Sequence, residues 1–173
     1  MAHSLLTRLD ARDRALFLRL ALHDATAASA RRFWRGVTHL GGATFTVAVS
    51  LAPLALGGAW QAGATRALVI LVVSHLLVQL VKRTVGRPRP SRGTRCAELI
   101  HAPDRFSFPS GHAAAAMSVA LGYGAVHPVL SPLLASLAVV VGFSRVALAV
   151  HYPGDVVVGQ LLAVATALLL PLS

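Results

Sequence analysis

The sequence is a series of apolar runs separated by short, strongly basic segments. Residues 37–59, 64–81, 111–126 and 130–150 are each nearly continuous in Ala, Val, Leu, Ile and Gly, and a last run continues from 152 to 171. About 20 such residues in a helix cover the hydrocarbon core of a bilayer, so each run predicts a spanning helix. Residues 4–28 follow another pattern. Leu5, Leu6, Leu9, Leu16, Phe17 and Leu20 fall on one stripe with Arg8, Arg12 and Arg19 close by. That predicts an amphipathic helix lying in the membrane interface. A span is disfavoured there because Arg19, His23 and Asp24 sit inside the best window. Short connections at 60–63 and 127–132 predict antiparallel neighbours, and 82–108 is the one long polar interruption.

The expected fold is therefore all-α. It is a single membrane-embedded domain over residues 1–173, with five spanning helices, an N-terminal interfacial helix and a loop at 82–108. Two spans separate the N-terminal segment from the 82–108 loop and two more separate that loop from the 144–155 turn, which places all three on the same face, while the five spans in total put the chain ends on opposite faces.

Composition supports lipid over water as the solvent. The chain is 55% hydrophobic and 13% charged, against about 25% charged in ordinary soluble domains. The formal net charge of +10 would suggest nucleic acid on a soluble protein. Here the basic residues cluster before residue 36 and between Lys82 and Arg105. Clusters alternating with apolar runs read as membrane topology plus an anion site, with no nucleic-acid partner. The basic N-terminus predicts a cytoplasmic end, and hence a site on the cytoplasmic face of a cell membrane, most simply a bacterial inner membrane. Cys96 is the single cysteine, so no intrachain disulfide forms. Asp10, Asp13 and Asp24 interrupt the N-terminal segment, which does not read as a cleaved secretory signal.

Three polar clusters carry candidate chemistry: Lys82 to Pro90, Pro109-Ser110-Gly111-His112, and Ser144-Arg145 followed by His151-Tyr152-Pro153-Gly154-Asp155. Arginine binds phosphate oxygens in pairs, and lysine adds a point charge. The free N–H groups of a helix start, here Ser110 and Gly111, also bind anions. A neutral imidazole can attack phosphorus, and a protonated one can supply the leaving oxygen with a proton. A carboxylate can fix the tautomer of the attacking ring. Taken singly, each piece has a plainer use. Ser110 and Asp155 read equally well as helix N-caps, Arg145 as a snorkelling side chain, and the basic loop as a topology signal. The plainer uses leave unexplained why all three clusters reach one face. The residues alone do not say which histidine attacks. His39, His75, His101 and His127 read as packing, loop or substrate-contact residues. No zinc, EF-hand or P-loop pattern occurs, and acids beyond the N-terminal helix are too few for a two-metal site. No metal or other cofactor is expected.

At these residues the sequence resembles the type 2 phosphatidic acid phosphatase superfamily, membrane lipid-phosphate phosphatases related to vanadium haloperoxidases. The signature is Lys, six residues, Arg-Pro (Lys82 to Arg89-Pro90). It continues with Pro-Ser-Gly-His (Pro109 to His112), then Ser-Arg, five residues, His, three residues, Asp (Ser144-Arg145, His151, Asp155). Every specified position matches, in order. The resemblance implies that His151 is the nucleophile forming a phosphohistidine and that Asp155 orients it. It implies that His112 is the acid on the leaving oxygen, and that Lys82, Arg89, Arg145, Ser110 and the Gly111 backbone hold the phosphate. The implied substrate is a lipid phosphate monoester or polyprenyl diphosphate in the bilayer. A non-catalytic lipid-phosphate binder or transporter is the competing reading, though binding alone needs no nucleophile. A soluble haloperoxidase-like role fits neither the length nor the hydropathy.

Overall fold

Gly122 and Ala67 show how this chain packs: a Cβ on Gly122 would overlap the Ala67 backbone, so two helices approach as closely as small residues allow. The two belong to the long helix α4 (Gly58–Val85) and to α6 (Gly111–Val126). The computed structural model describes residues 2–170 apart from Asp24, Arg95 and Pro103, with side chains from Asp10 onward and Gly93 described as backbone only. Its other helices are α1 (Ala2–Leu20), α2 (Ala28–His39), α3 (Ala43–Leu51), the single turn α5 (Pro90–Gly93), α7 (Ser131–Ala147) and α8 (Pro153–Leu169). Among the described residues there is one isolated antiparallel bridge, Pro88 with Phe106, and no strand.

α6 is the hub, packed by α3, α4, α7 and α8. It is apolar all round, as a helix without a solvent face must be, and Ala113 to Ala116 are all buried. Ser74 of α4 and Ser118 of α6 hydrogen-bond at 2.9 Å inside this packing. The outer faces carry Val72, Leu76 and Leu80 of α4, Leu133, Leu137 and Val139 of α7, and Val157 and Leu161 of α8, all exposed. So many large apolar side chains pointing outward match a lipid surround, where backbone groups are satisfied within each helix. By length and composition α4 and the stretch Pro128–Ala147 are each able to cross a membrane; α2 with its continuation Ala43–Ala55, bent by 41°, passes the same test only when the pair is counted as one span.

Helix boundaries differ from the sequence expectation in three places. Where a single helix over 37–59 is expected, the chain starts earlier, at Ala28, and breaks between His39 and Ala43. At that break lies Gly41, where a Cβ would overlap the His112 carbonyl oxygen and the Val141 side chain, so only glycine lets the chain pass this close to α6. The connection expected at 60–63 lies inside α4. The turn is one step earlier, at Gly57 and Gly58, both with positive φ (73° and 56°). The N-terminal helix stops at Leu20, short of 28, and the Leu22 N–H bonds instead to the Ala147 carbonyl. Its Phe17 is fully buried against Tyr152, centroid to centroid 5.3 Å, so α1 docks on the protein as well as presenting the exposed Leu16 and Leu20. Asp24, and Pro171 at the end of the last expected span, lie outside the described residues.

Candidate active site

α4 ends where Gly86 takes the left-handed conformation (φ 62°) and its N–H closes on the Lys82 carbonyl. Lys82 therefore sits on the last helical turn, buried, with its ammonium 2.6 Å from Asp104 Oδ2. The bridge between Pro88 and Phe106 folds the 82–108 segment back on itself. That brings Arg89 to Asp104, whose Oδ1 accepts from Arg89 Nη2 at 2.9 Å. Arg89 Nη1 also donates to the Val150 carbonyl at 2.7 Å.

Ser110 caps α6. Its hydroxyl accepts from the Ala113 N–H at 3.5 Å, and its own N–H donates to the Asp155 carbonyl at 2.9 Å. A Cβ on Gly159 would collide with the Ser110 carbonyl oxygen, so α8 is pressed against the α6 start. Arg145 lies in the last turn of α7, 1% exposed, with Nη1 donating to Thr38 Oγ1 at 2.7 Å. Its Nε is buried with no hydrogen-bond partner among the described residues. The chain then turns through Ala149 (φ 60°), and the Val150 and His151 N–H groups both point at the Arg145 carbonyl. Pro153 opens α8 rather than breaking it, a place where its missing N–H costs nothing. Asp155, in that first turn, accepts from the Tyr152 N–H at 2.9 Å through Oδ2. The same Oδ2 lies 3.6 Å from His151 Nδ1, too long for a hydrogen bond. With Nδ1 turned toward Asp155, Nε2 is the nitrogen of His151 left for the cavity that this residue lines.

That cavity, about 550 Å³, is lined at one end by Lys82, Arg89, Asp104, Gly111, His112, Arg145 and His151. Its other end is apolar, walled by Val47 of α3 and by Leu68, Leu71, Val72 and Leu76 of α4. The structure thus brings together six of the eight residues singled out from sequence. Ser110 acts as the cap of α6, and Asp155 stands behind His151 rather than on the wall. His75 lines the apolar part and lies 3.2 Å from Gln79, whereas His127 packs against Trp60 at 4.5 Å.

Burial pushes the His151 imidazole down to about 4, against the upward pull of Asp155 and with Arg145 and Arg89 adding to the fall. At that value the ring is neutral at physiological pH. Burial alone would raise the Asp104 carboxyl, but Lys82 and Arg89 outweigh it and hold Asp104 below its ordinary value.

Four residues of this region were not marked by the sequence pattern as site residues: Asp104, Thr38, Arg87 and Asp13. Arg87 Nη1 lies 2.6 Å from Asp155 Oδ1 and 2.8 Å from Asp13 Oδ2, and its Nη2 is 2.7 Å from Asp10 Oδ1. Arg87 falls between Lys82 and Arg89 of the motif, which was a usable signal. Asp13 lies 141 residues from the Gly154 N–H it accepts at 2.7 Å, and no local pattern announces that.

Comparison with known proteins gives a consistent family. The model of the PAP2 superfamily matches residues 63–173. The decaprenylphosphoryl-5-phosphoribose phosphatase of Mycobacterium tuberculosis (strain ATCC 25618 / H37Rv) is 39% identical over 87 residues, 50% of this chain and 48% of that protein. This chain thus spans about half the length of that relative. Phosphatidylglycerophosphatase B of Bacillus subtilis (strain 168) is 33% identical over 138 residues, 72% of this chain and 65% of the relative. The crystal structure of the transmembrane PAP2-type phosphatidylglycerolphosphate phosphatase from Bacillus subtilis superposes with a TM-score of 0.74 at 26% identity, covering 94% of this chain and 84% of that one. With its membrane-length apolar helices and this transmembrane neighbour, the chain is a membrane protein.

Proposed function

Because this chain belongs to the PAP2 superfamily, we propose that it is a lipid phosphatase that hydrolyses a phosphate monoester or diphosphate through a phosphohistidine. One observation carries the reading. Two histidines and three cations, contributed by widely separated stretches of chain, line the same end of a cavity whose other end is apolar. The polar end suits a phosphate and the apolar end a hydrocarbon chain.

In the first step the neutral His151 Nε2 attacks phosphorus and forms the N–P bond. The P–O bond to the lipid breaks, and the leaving oxygen takes its proton from His112. In the second step water attacks phosphorus and gives its proton to His112. The N–P bond breaks, releasing inorganic phosphate and restoring neutral His151 and protonated His112. Lys82, Arg89 and Arg145, with the Gly111 N–H at the start of α6 that Ser110 caps, meet the charge on the equatorial oxygens, where most of the rate gain in phosphoryl transfer arises. Asp155 orients His151. The protein's own cations supply the positive charge, so the reaction needs no metal.

Substrates follow from the pocket and the relatives. The candidates are phosphatidate, phosphatidylglycerol phosphate or a polyprenyl (di)phosphate, with the chain between α3 and α4. The basic N-terminus supports a site on the cytoplasmic side of a bacterial inner membrane. Phosphate release by the purified protein in detergent with a chelator present, across a panel of these lipids, tests the activity. His151→Ala must abolish turnover, and full activity in that variant refutes the nucleophile. Protease accessibility of tags at each terminus, in sealed vesicles, tests the orientation.

A further inference from the structure

Asp155 is the residue that this reading assigns to His151, yet its short contacts are elsewhere. Oδ1 faces Arg87 Nη1 at 2.6 Å, and Oδ2 accepts from the Tyr152 N–H at 2.9 Å, with His151 Nδ1 at 3.6 Å. Asp155 is fully buried, and a buried carboxylate requires a compensating charge. Arg87 supplies it. Arg87 is in turn held by two carboxylates of α1, Asp10 at 2.7 Å and Asp13 at 2.8 Å, and its guanidinium stacks 4.1 Å over the Tyr152 ring. Asp13 Oδ1 also accepts from the Gly154 N–H at 2.7 Å, inside the turn that separates His151 from Asp155. α1 is thus bonded both to the cation and to the backbone that set the position of Asp155. Arg87 is absent from the cavity wall, so it does not touch the phosphate.

We infer that Arg87, clamped by Asp10 and Asp13 of the N-terminal helix, is a positioning residue that fixes the Asp155 carboxylate behind His151 and compensates its charge, so that Asp155 orients the ring without drawing a proton onto it. The inference rests on the phosphatase reading and adds to it a role for α1. The hydrophobic pattern of residues 4–28 pointed only to a membrane-surface helix. The geometry makes that helix part of the support for the reacting ring.

The groups facing His151 fix the direction of the effect. Arg145 of α7 and Arg89 before α5 disfavour a proton on His151 and Asp155 of α8 favours one, while Lys82 of α4, Asp104 of the 82–108 segment and His112 of α6 are the other titratable groups on the shared cavity wall. Without Arg87 the buried Asp155 carboxylate loses its compensating cation, and a protonated His151, whose Nδ1 lies 3.6 Å away, is the group that can replace it, so His151 takes up a proton at higher pH. An opposite charge at such range shifts a titration by about one to three units.

The test follows the His151 ring by NMR in protein labelled at the histidine ring, its signal assigned by its loss in His151→Ala. Arg87→Gln is expected to raise the His151 midpoint by at least about one unit, Asp13→Asn by a smaller step, and Arg87→Lys to restore most of it. In the activity assay the acid limb of Arg87→Gln moves up with the His151 midpoint while KM stays within about twofold, so the loss of kcat is largest at acid pH and shrinks toward neutral pH, where the ring is again unprotonated. An unchanged His151 midpoint in both Arg87→Gln and Asp13→Asn overturns the inference. Should Arg87→Gln fail to fold, Asp13→Asn and Arg87→Lys carry the test. Wild-type protein without turnover would sink the phosphatase reading instead, and the ring titration would still decide the role of Arg87.

Discussion

Lys82 Nζ lies 2.6 Å from Asp104 Oδ2, and Asp104 Oδ1 accepts from Arg89 Nη2 at 2.9 Å. One carboxylate thus bridges two of the cations assigned to the phosphate, in the geometry that phosphate oxygens would use. Asp104→Asn removes a competing anion. The Asp104 side chain is 35% exposed, so the competition is worth about 1 kcal/mol or less. The inhibition constant for inorganic phosphate should fall by roughly two- to fivefold on that scale. A rise would mean that Asp104 positions the cations rather than competing for them.

The His151 value of about 4 predicts a pH profile. The ordinary value is near 6.5, so the folded protein refuses a proton that the unfolded chain accepts between those limits. Neutral His151 persists from pH 7 downward and is lost as pH falls through about 4. The His151 limb of kcat/KM should have its midpoint there, after correction for the substrate phosphate, which itself titrates near pH 6. The same linkage contributes stability that is fully present above about 6.5 and lost as pH falls toward 4. A His151 limb centred near 6.5 in the wild type would contradict the buried ring.

Thr38 accepts from Arg145 Nη1, and Arg145 Nε already lacks a partner among the described residues. Thr38→Val preserves shape and strips that acceptor, so a second guanidinium nitrogen is left buried. The expected cost is about 1–3 kcal/mol, read as a lower Tm, together with a fall in kcat/KM as Arg145 loses its tether. Thr38→Ser should retain both. Equal Tm in the two variants would show that the hydrogen bond contributes nothing.

Gly159 and Gly122 separate packing from catalysis. A Cβ at Gly159 meets the Ser110 carbonyl oxygen, and one at Gly122 meets the Ala67 backbone. Each Gly→Ala change should cost about 1–3 kcal/mol through overpacking. Gly159→Ala also moves α8, which carries Asp155, away from the turn that carries Ser110 and His112, so kcat falls further than stability alone explains. Gly122 lies ten positions beyond His112, about 15 Å along α6. Its variant should therefore keep kcat near the wild-type level in the folded fraction.

The pattern of residues made the cavity wall legible because Lys82, Arg89, His112, Arg145 and His151 stand at spacings that no packing rule requires. Asp104 was not legible. Its approach to Lys82 and Arg89 depends on the pairing of Pro88 with Phe106, a contact 18 residues apart that leaves no periodic trace. Hydropathy also passed over the break at Gly41-Gly42, since a glycine pair inside an apolar run scores as neutral. It likewise placed Arg31, Arg32 and Arg35 outside any helix of the bundle. Arg35 instead donates to the Leu99 carbonyl at 2.6 Å, inside the protein. The role of α1 was half visible: its stripe predicted a helix, whereas the partners of Asp10 and Asp13 are set by tertiary docking alone.

The apolar wall formed by Val47, Leu68, Leu71, Val72 and Leu76 has a kinetic consequence on the proposed reading. A substrate entering between α3 and α4 arrives by lateral diffusion within one leaflet, so its bulk molarity is the wrong variable. The rate should saturate with the mole fraction of substrate among the surrounding lipids or detergent, and diluting micelles at a fixed fraction should leave it unchanged.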